Sequence, residues 1–284
     1  MAAPVDLVGA PHLQKREQRD VDLSSYVAPA SDAADDAAAD EARRPWPRDL
    51  WLLVDDVKKA RRPAESRRVV CLCVVATAPS QRGAVANCRL ARAHYAGWRV
   101  VVFASPRVDA AVVDELGSWG AEVRVVTARC RDFQLPLLRF AVAGEVGVEC
   151  VVFRDAEHRI NAREGAAVRD WLATDAAFHV MHDALDADAR FIASGCFGCR
   201  STDEHEPPLP DAPAALVEFV DGGGEDDLAW LEIYVRPACD AANTVHHSSR
   251  GAFLDDGPAR PFPETDYRGR VGEAAGDAPW DAFL

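Results

Sequence analysis

Two acidic residues, Asp155 and Glu157, follow the apolar run Cys150-Val151-Val152-Phe153. Alternate residues of an extended segment point the same way, so both carboxylates could contact one divalent cation. A hard cation such as Mn²⁺ or Mg²⁺, held by two acids with open coordination positions, can bind a diphosphate. A solvated turn at the end of a strand is the alternative interpretation of the same pattern.

The apolar pattern predicts the elements that position these acids. A continuous apolar run at 69–75 has the length of a strand whose two faces are both covered, as in a parallel sheet. Strand-like segments follow at 98–104, 121–126 and 150–153, and they alternate with helical periodicity at 83–95, 109–119 and 134–142. This alternation predicts an α/β fold with a mainly parallel sheet flanked by helices. Ligands of such sheets bind at the carboxyl ends of strands, where Asp155 and Glu157 fall.

The sequence disfavours several classes of partner. No Gly-x-Gly-x-x-Gly follows the first predicted strand and no P-loop motif occurs, so a dinucleotide fold or a P-loop NTPase has little support. The formal net charge of -14 disfavours nucleic acids and anionic membranes, because both favour a basic surface. No stretch is apolar and long enough to span a bilayer, and the start does not resemble a signal peptide. The sequence therefore predicts a soluble, cytoplasmic protein.

Composition also divides the chain. Residues 1–67 are rich in Ala, Asp, Arg and Pro, which predicts a mostly disordered leader in which an apolar patch, Trp46 to Val54, could dock as a short helix. Residues 68–275 form the predicted single domain, and 276–284 form a tail. The eight cysteines lack the spacing of a disulfide scaffold, which favours buried, reduced thiols. Cys196 and Cys199 have the spacing of half a zinc site, but no second pair of matching spacing accompanies them.

Residues 154–183 carry several short motifs in a fixed order. They are Arg154-Asp155-Ala156-Glu157-His158-Arg159, then Arg163-Glu164, then Ala167-Val168-Arg169-Asp170-Trp171-Leu172, and His179-Val180-Met181-His182-Asp183. This series resembles a group of GT-A-type glycosyltransferases associated with capsular and surface polysaccharides. Those enzymes show R-D-x-D-S-R, R-E, A-V-x-x-W-[IL] and H-x-M-R-D.

Further motifs extend the resemblance over roughly residues 69–275. The group's corresponding segments are G-A-x-x-N, Y-P-G-W, R-F, G-G-x-W-G, D-Q-x-[FW]-L, H-D-S and V-G. In the same order, the similar segments of this sequence are Gly83 to Asn87, Tyr95 to Trp98, Arg139-Phe140, Ser194 to Gly198, Asp227 to Leu231, His246 to Ser248 and Val271-Gly272. The resemblance implies a GT-A-like fold and the transfer of a sugar from a nucleotide-sugar donor to a glycan or other hydroxyl acceptor. It also implies a divalent metal held by Asp155 and Glu157, with His246 as a further ligand.

Other residues are candidates for donor binding and catalysis. Arg139, Arg154 and Arg159 could contact phosphate or fix the metal-site carboxylates, since guanidinium groups match both, or they could form structural ion pairs. The resemblance adds Gly195 to the donor site. Asp183 and Asp227 could orient an acceptor hydroxyl or act as the base, with a plain helix N-cap as the alternative for Asp227.

The motifs also depart from the family pattern. Glu157 and His158 replace Asp and Ser, and further changes occur at His182, Ala187, Ser194 and Leu228. A catalytically impaired relative that acts as a binding or scaffold protein is therefore an alternative hypothesis. An unrelated hydrolase or phosphatase with Asp155 as nucleophile is a weaker one, because Asp155 follows about the fourth strand rather than the first.

Overall fold

A computed structural model of the protein describes residues 54–58, 66–126, 134–183, 192–201, 203, 206–224, 227–249, 259–266 and 270–272. All of them belong to one compact unit, Arg44–Leu284. No helix among the described residues is long and apolar enough to cross a membrane. The predicted domain limits at 68 and 275 stay predictions, because the tail and most of the leader lie outside the described residues.

Eight described strands form one sheet in the order β1-β4-β3-β2-β5-β7-β6-β8. Their bounds are Val54–Lys58 (β1), Arg68–Val74 (β2), Arg99–Ala104 (β3), Ala121–Val126 (β4), Cys150–Asp155 (β5), Phe178–His182 (β6), Cys196–Arg200 (β7) and Thr244–Ser248 (β8). Neighbours pair in parallel except at β1/β4, β5/β7 and β7/β6. The α/β fold and the mainly parallel sheet predicted from the sequence are confirmed.

Helices connect the strands. They are Ala78–His94 (α1), Ala110–Ser118 (α2), Leu135–Leu138 (α3), Ala162–Leu172 (α4), Ala212–Asp221 (α5), Asp227–Trp230 (α6) and Arg236–Ala241 (α7). A 3-10 helix, Arg139–Gly144, continues α3, and a π-helix, Leu231–Val235, joins α6 to α7. The helix predicted at 134–142 is thus only one α-helical turn that tightens into a 3-10 segment.

Helices cover both faces of the sheet, which explains the unbroken apolar runs of the central strands. On one face, residues of α1, α2 and α4 such as Leu90, Leu116 and Trp171 pack on the sheet. On the other face, α3, the 3-10 helix, α5 and α6 pack on it through side chains such as Phe140 and Trp230. The Phe140 and Trp230 rings stack with centroids 4.6 Å apart. This second layer matters for function because it carries Arg139 and Asp227.

The first strand corrects one expectation from the sequence. Val54–Lys58 lies inside the leader that was predicted to be mostly disordered, at the end of the expected short helix, yet it forms a strand that pairs antiparallel with β4. The open backbone groups at the β4 edge explain this, since an added strand satisfies them. Two acids interrupt the apolar pattern of the segment, so no periodicity indicated a strand. Trp46 and Trp51 lie outside the described residues.

The cysteines that the structure describes are all buried and free, in agreement with the reduced thiols predicted from the sequence. Cys196 and Cys199 both lie on β7. Because residues an odd number of positions apart on a strand point to opposite faces, these two thiols cannot share one zinc ion. Arg154 Nη1 lies 3.4 Å from Cys196 Sγ, whereas Cys199 packs in the core on the other face.

Candidate active site

The carboxyl ends of the parallel strands meet at one edge of the sheet. Asp155 ends β5, His182 ends β6 and Ser248 ends β8. Strand β7 runs in the opposite direction, so Gly195, which precedes it, lies at the same edge. The sequence-based placement of Asp155 at the carboxyl end of a strand is therefore confirmed.

Arg139 joins two of the predicted site residues, Asp155 and Asp227. Its Nη1 donates to Asp155 Oδ1 at 2.6 Å, and its Nη2 donates to Asp227 Oδ2 at 3.0 Å. The guanidinium is only 1% exposed, so its charge requires buried acceptors. We call these three residues the Arg139 cluster. The structure thus brings together a candidate donor-binding residue, a candidate metal ligand and a candidate catalytic acid.

The carboxyl group of Asp155 stays ionised in this cluster. Burial raises its pKa, but the Arg139 guanidinium and the neighbouring His158 outweigh burial and hold the pKa well below its ordinary value. His158 Nδ1 lies 3.3 Å from Asp155 Oδ2, and the Asp155 side chain is 35% exposed. Asp155 is therefore a fixed negative charge with partial access to solvent.

Gly195 lies directly against Asp155. A Cβ atom built on Gly195 would overlap the Asp155 carboxylate and its backbone nitrogen. Only glycine allows the strand that begins at Cys196 to approach the carboxylate this closely. The structure therefore gives Gly195 a clear role in positioning Asp155, whereas the predicted contact with a donor stays a prediction.

Asn87 fixes the loop that follows Asp155, and the sequence analysis assigned it no role. This fully buried side chain of α1 donates to the carbonyl oxygens of Ala156 at 3.2 Å and His158 at 2.9 Å, and it accepts from the Ile160 nitrogen at 3.0 Å. Gly83, one turn earlier, allows close packing, because a Cβ there would overlap the Ala156 carbonyl. The Gly83 to Asn87 motif was the signal in the sequence that could have revealed this role.

Arg154 and Arg159 have structural partners. Arg154 is fully buried, lies 2.9 Å from Glu164 and donates to the Gly195 carbonyl. Tyr95 donates to the other Glu164 oxygen at 2.5 Å. Because Arg154 is not exposed, it cannot contact a phosphate in this structure, and the structural alternative raised for it accounts for its position.

Arg159 closes the loop after β5 on itself. Its Nη1 donates to the carbonyl oxygens of Ala156 at 3.2 Å and Glu157 at 3.3 Å, and the residue is 5% exposed. These bonds hold the backbone of Glu157 in place while its side chain remains at the surface. Arg159 thus orders the loop that bears the second acid, and its predicted contact with a donor stays a prediction.

Asp183 accepts hydrogen bonds from two other segments of the protein. It accepts from Arg163 Nε at 2.7 Å and from the backbone nitrogen of Val271 at 2.9 Å, and its side chain is 1% exposed. The Arg163 guanidinium also lies over the Phe262 ring, 4.5 Å from its centroid. This arrangement leaves Asp183 unavailable to accept a proton from a substrate, so Asp227 is the better candidate for that role.

The predicted metal ligands do not form one group. Among the described residues, no three His, Cys, Asp or Glu side chains are arranged to hold a metal ion. Glu157 is exposed next to Asp155, but His246 lies on β8, which β7 and β6 separate from β5. Three strand spacings of about 4.8 Å place these strands roughly 14 Å apart. Asp155 and Glu157 can serve as carboxylate ligands of a hard cation, whereas His246 is too far from them in this structure.

Four histidines of β6 and β8 form two pairs. His182 Nε2 and His246 Nδ1 lie 3.4 Å apart on the face that carries the Arg139 cluster. Burial, with the nearby His246, lowers the pKa of His182 to about 3. On the opposite face, His179 Nε2 and His247 Nδ1 lie 2.8 Å apart, and His247 Nε2 lies 3.2 Å from Asp170.

The departures from the family pattern fall in different places. His182 and Ser194 lie at the edge of the sheet that carries the Arg139 cluster, whereas Leu228 packs partly buried on the core below it. Ala187 lies outside the described residues. The substitutions therefore do not all line one surface.

Comparison with known proteins finds no family model and no curated protein that matches the sequence. Solved structures are similar at low identity. A homologue of Mycobacterium tuberculosis rv0371c from Mycobacterium sp. strain JC1 is 12% identical, with a TM-score of 0.37 over 72% of this chain and 92% of that chain. 4-Diphosphocytidyl-2C-methyl-D-erythritol synthase from Anaerococcus prevotii is 10% identical, with a TM-score of 0.40 over 64% and 90%. The galactosyltransferase LgtC, solved with donor and acceptor sugar analogues, is 9% identical, with a TM-score of 0.39 over 64% and 74%.

Proposed function

We propose that this protein is a glycosyltransferase that moves a sugar from a nucleotide-sugar donor to a hydroxyl group of a glycan or another acceptor. The observation that carries the proposal is the Arg139 cluster. It places an ionised carboxylate, Asp155, and a second carboxylate, Asp227, around one buried guanidinium at the carboxyl ends of the strands, where α/β sheets bind ligands. The order of motifs in the sequence supports the same class of enzyme.

Asp227 is the residue we assign to the acceptor. During transfer, the bond between the anomeric carbon and the diphosphate oxygen breaks, and the acceptor oxygen forms a new bond to that carbon. The acceptor hydroxyl must lose its proton, and a carboxylate within hydrogen-bond reach can accept it. The Asp227 side chain is 20% exposed, and Arg139 fixes the position of its Oδ2. Arg139 itself is buried and acts by holding both carboxylates in place.

The charge of the site supports a role for a cation. The Arg139 cluster contains two carboxylates and one guanidinium and so carries a net negative charge, whereas Arg82 and Arg159 lie close enough to offset the charge of exposed Glu157. This excess of negative charge would repel a diphosphate unless a cation accompanied it. We therefore propose that Asp155 and Glu157 hold Mn²⁺ or Mg²⁺, which would stabilise the leaving diphosphate as a Lewis acid. His246 is not included in this ligand set.

A catalytically impaired binding or scaffold protein is the second candidate. The ion pair of buried Asp183 and the separation of β5 from β8 favour it, since they remove a predicted catalytic acid, Asp183, and a predicted metal ligand, His246, from the site. A protein of this kind would still bind a nucleotide sugar, but it would not release the nucleoside diphosphate. The two candidates therefore differ in turnover rather than in ligand.

One experiment separates the two candidates. Release of nucleoside phosphate is measured with UDP-, GDP- and CMP-linked sugars, with and without Mn²⁺, for the wild type, Asp155→Ala and Asp227→Asn. Binding of the same donors is measured by thermal shift, because a ligand that binds only the folded state raises its apparent stability. Slow release by the wild type that Asp155→Ala abolishes supports the enzyme, since water can replace the acceptor.

Asp114→Ala is the matched control, because this exposed acid lies on α2, which packs on the face of the sheet opposite to the Arg139 cluster. It should behave as the wild type in both assays. Binding without release for any donor would favour the binding protein. Neither binding nor release for the whole donor panel would contradict both candidates.

A further inference from the structure

His182 and His246 present two ring nitrogens to each other at the edge of the sheet. The parallel strands β6 and β8 pair Val180 with His246 and His182 with Ser248. His246 is thus the partner of Val180, which lies two positions before His182 on β6. Because residues two positions apart on a strand point to the same face, the two histidines share one face of the sheet. Their rings lie within 11° of parallel with centroids 5.7 Å apart, and His182 Nε2 is 3.4 Å from His246 Nδ1.

This distance matches the spacing of two nitrogen ligands on one metal ion. Zinc binds imidazole nitrogen at about 2.0–2.1 Å, so two ligands at the tetrahedral angle are about 3.4 Å apart. We propose that His182 and His246 form a binding site for zinc or another late first-row transition metal. Imidazole favours Zn²⁺, Co²⁺, Ni²⁺ and Cu²⁺, whereas Mg²⁺ and Mn²⁺ favour carboxylate oxygens.

The second histidine pair, His179 and His247, lacks the spacing of two ligands on one metal ion. His179 Nε2 and His247 Nδ1 are 2.8 Å apart, which is shorter than the tetrahedral ligand spacing and typical of a direct hydrogen bond. Both residues are fully buried, and His247 already contacts Asp170. A metal ion would have to separate these rings inside a packed core. Of the two pairs, only His182 and His246 combine ligand spacing with a partly exposed ring, which is that of His246, since His182 is itself buried.

The site is distinct from the carboxylates proposed to hold the hard cation. Asp155 and Glu157 belong to β5 and the loop after it, two strands away from β6. With only two protein ligands, the proposed site keeps open coordination positions, which is typical of exchangeable or catalytic metals rather than closed structural sites. Because the site uses neither acid, the inference goes beyond the proposed sugar transfer and does not depend on it.

Cobalt binding tests the inference. Metal-free protein is titrated with Co²⁺, and the visible absorption of nitrogen-ligated cobalt is recorded together with calorimetry. We expect saturable binding in the wild type, loss of the absorption in His182→Gln and His246→Gln, and displacement by Zn²⁺ but not by Mg²⁺. His158→Gln, a histidine outside the pair, and Glu157→Gln should retain the absorption.

Two outcomes would overturn the inference. The first is no nitrogen-ligated cobalt in the wild type, and the second is loss of the nitrogen-ligated absorption in Glu157→Gln, which would make the metal site depend on the β5 acids instead. Pulsed EPR of Cu²⁺ on the unmutated protein provides a measurement that does not depend on variants folding. Two coupled imidazoles support the site, whereas one or none contradicts it. Release of nucleoside phosphate is assayed separately, so failure of the metal site and failure of the proposed transferase are distinguishable.

Discussion

Gly195 and Asp155 lie so close together that a single added methyl group would overlap the carboxylate of the central acid. Asp155 accepts a hydrogen bond from Arg139 on one oxygen and has His158 beside the other. The carboxylate is thus enclosed by a backbone, a guanidinium and an imidazole. Its position is fixed by residues that come from three different parts of the chain.

Gly195→Ala should therefore displace Asp155 and impair donor binding. The matched control is Gly117→Ala in α2, where an added Cβ meets nothing within 4 Å and the backbone is helical. We expect the control to be neutral or to stabilise the protein by up to about 1 kcal/mol, because alanine favours a helix over glycine. Urea unfolding and thermal shift with a nucleotide sugar measure both effects. Donor binding by Gly195→Ala equal to that of the control would show that Asp155 is not part of the donor site.

Arg139→Met should strongly destabilise the protein, because it leaves Asp155 and Asp227 without their shared cation. Removing one partner of a fully buried ion pair typically costs about 3–5 kcal/mol, and we expect a cost at or below the lower end because both acids are partly exposed. The double variant Arg139→Met with Asp155→Asn should recover part of this loss, since it also removes one orphaned charge. Free energies of unfolding from denaturant titrations of the wild type, both single variants and the double variant give the coupling free energy. A coupling free energy near zero would show that the 2.6 Å contact contributes no net stability.

Sequence pattern predicted the layered architecture because β2, β3 and β5 contain continuous apolar runs, as expected for strands covered by helices on both faces. In β4, Glu122 and Arg124 alternate with the apolar residues. The sequence of β1 contains no such apolar run. Its place depends on the open edge of β4, which is a property of the folded sheet rather than of residues 54–58.

The site was predicted less completely for a related reason. The order of motifs indicated Asp155, Arg139 and Asp227, and the structure brings these three together. Which arginine faces the site and which is enclosed depends on tertiary packing, so Arg154 could not be separated from Arg139 by spacing alone. His246 was expected near Asp155, but the antiparallel β7 is inserted between β5 and β6 and moves the two apart.

Arg154→Met should lower stability without changing donor affinity. Arg154 and Glu164 are both fully buried and lie 2.9 Å apart, so removal of the guanidinium leaves an uncompensated carboxylate in the core. We expect a cost of about 3–5 kcal/mol for the single variant and a smaller cost when Glu164→Gln is added. Donor titration of the folded variant at low temperature supplies the second measurement. A fall in donor affinity of at least tenfold would show that Arg154 contributes to donor binding.

Acidification should destabilise the protein through His179. Burial lowers the pKa of His179 well below its ordinary value, and the neighbouring His247 adds to this effect, with Arg260 also nearby. Asp170, which contacts His247, is the acidic group of the cluster. Below the ordinary histidine pKa of about 6.5, the unfolded chain binds a proton that folded His179 does not, so stability must fall as the pH falls. The slope approaches about 1.4 kcal/mol per pH unit for each such histidine.

His179→Gln removes this titrating group while keeping a polar side chain next to His247. Its free energy of unfolding should depend less steeply on pH than that of the wild type between pH 6.5 and 4.5. Above pH 7.5, where the imidazole is neutral in both states, the two proteins should show parallel profiles. Urea unfolding in the presence of a chelator at a series of pH values measures both ranges and removes any contribution from bound metal. Equal slopes of the two proteins below pH 6.5 would mean that folded His179 takes up its proton as readily as the unfolded chain does. The packing of β6 against β8 and Trp171 would then impose no free-energy penalty on the charged ring.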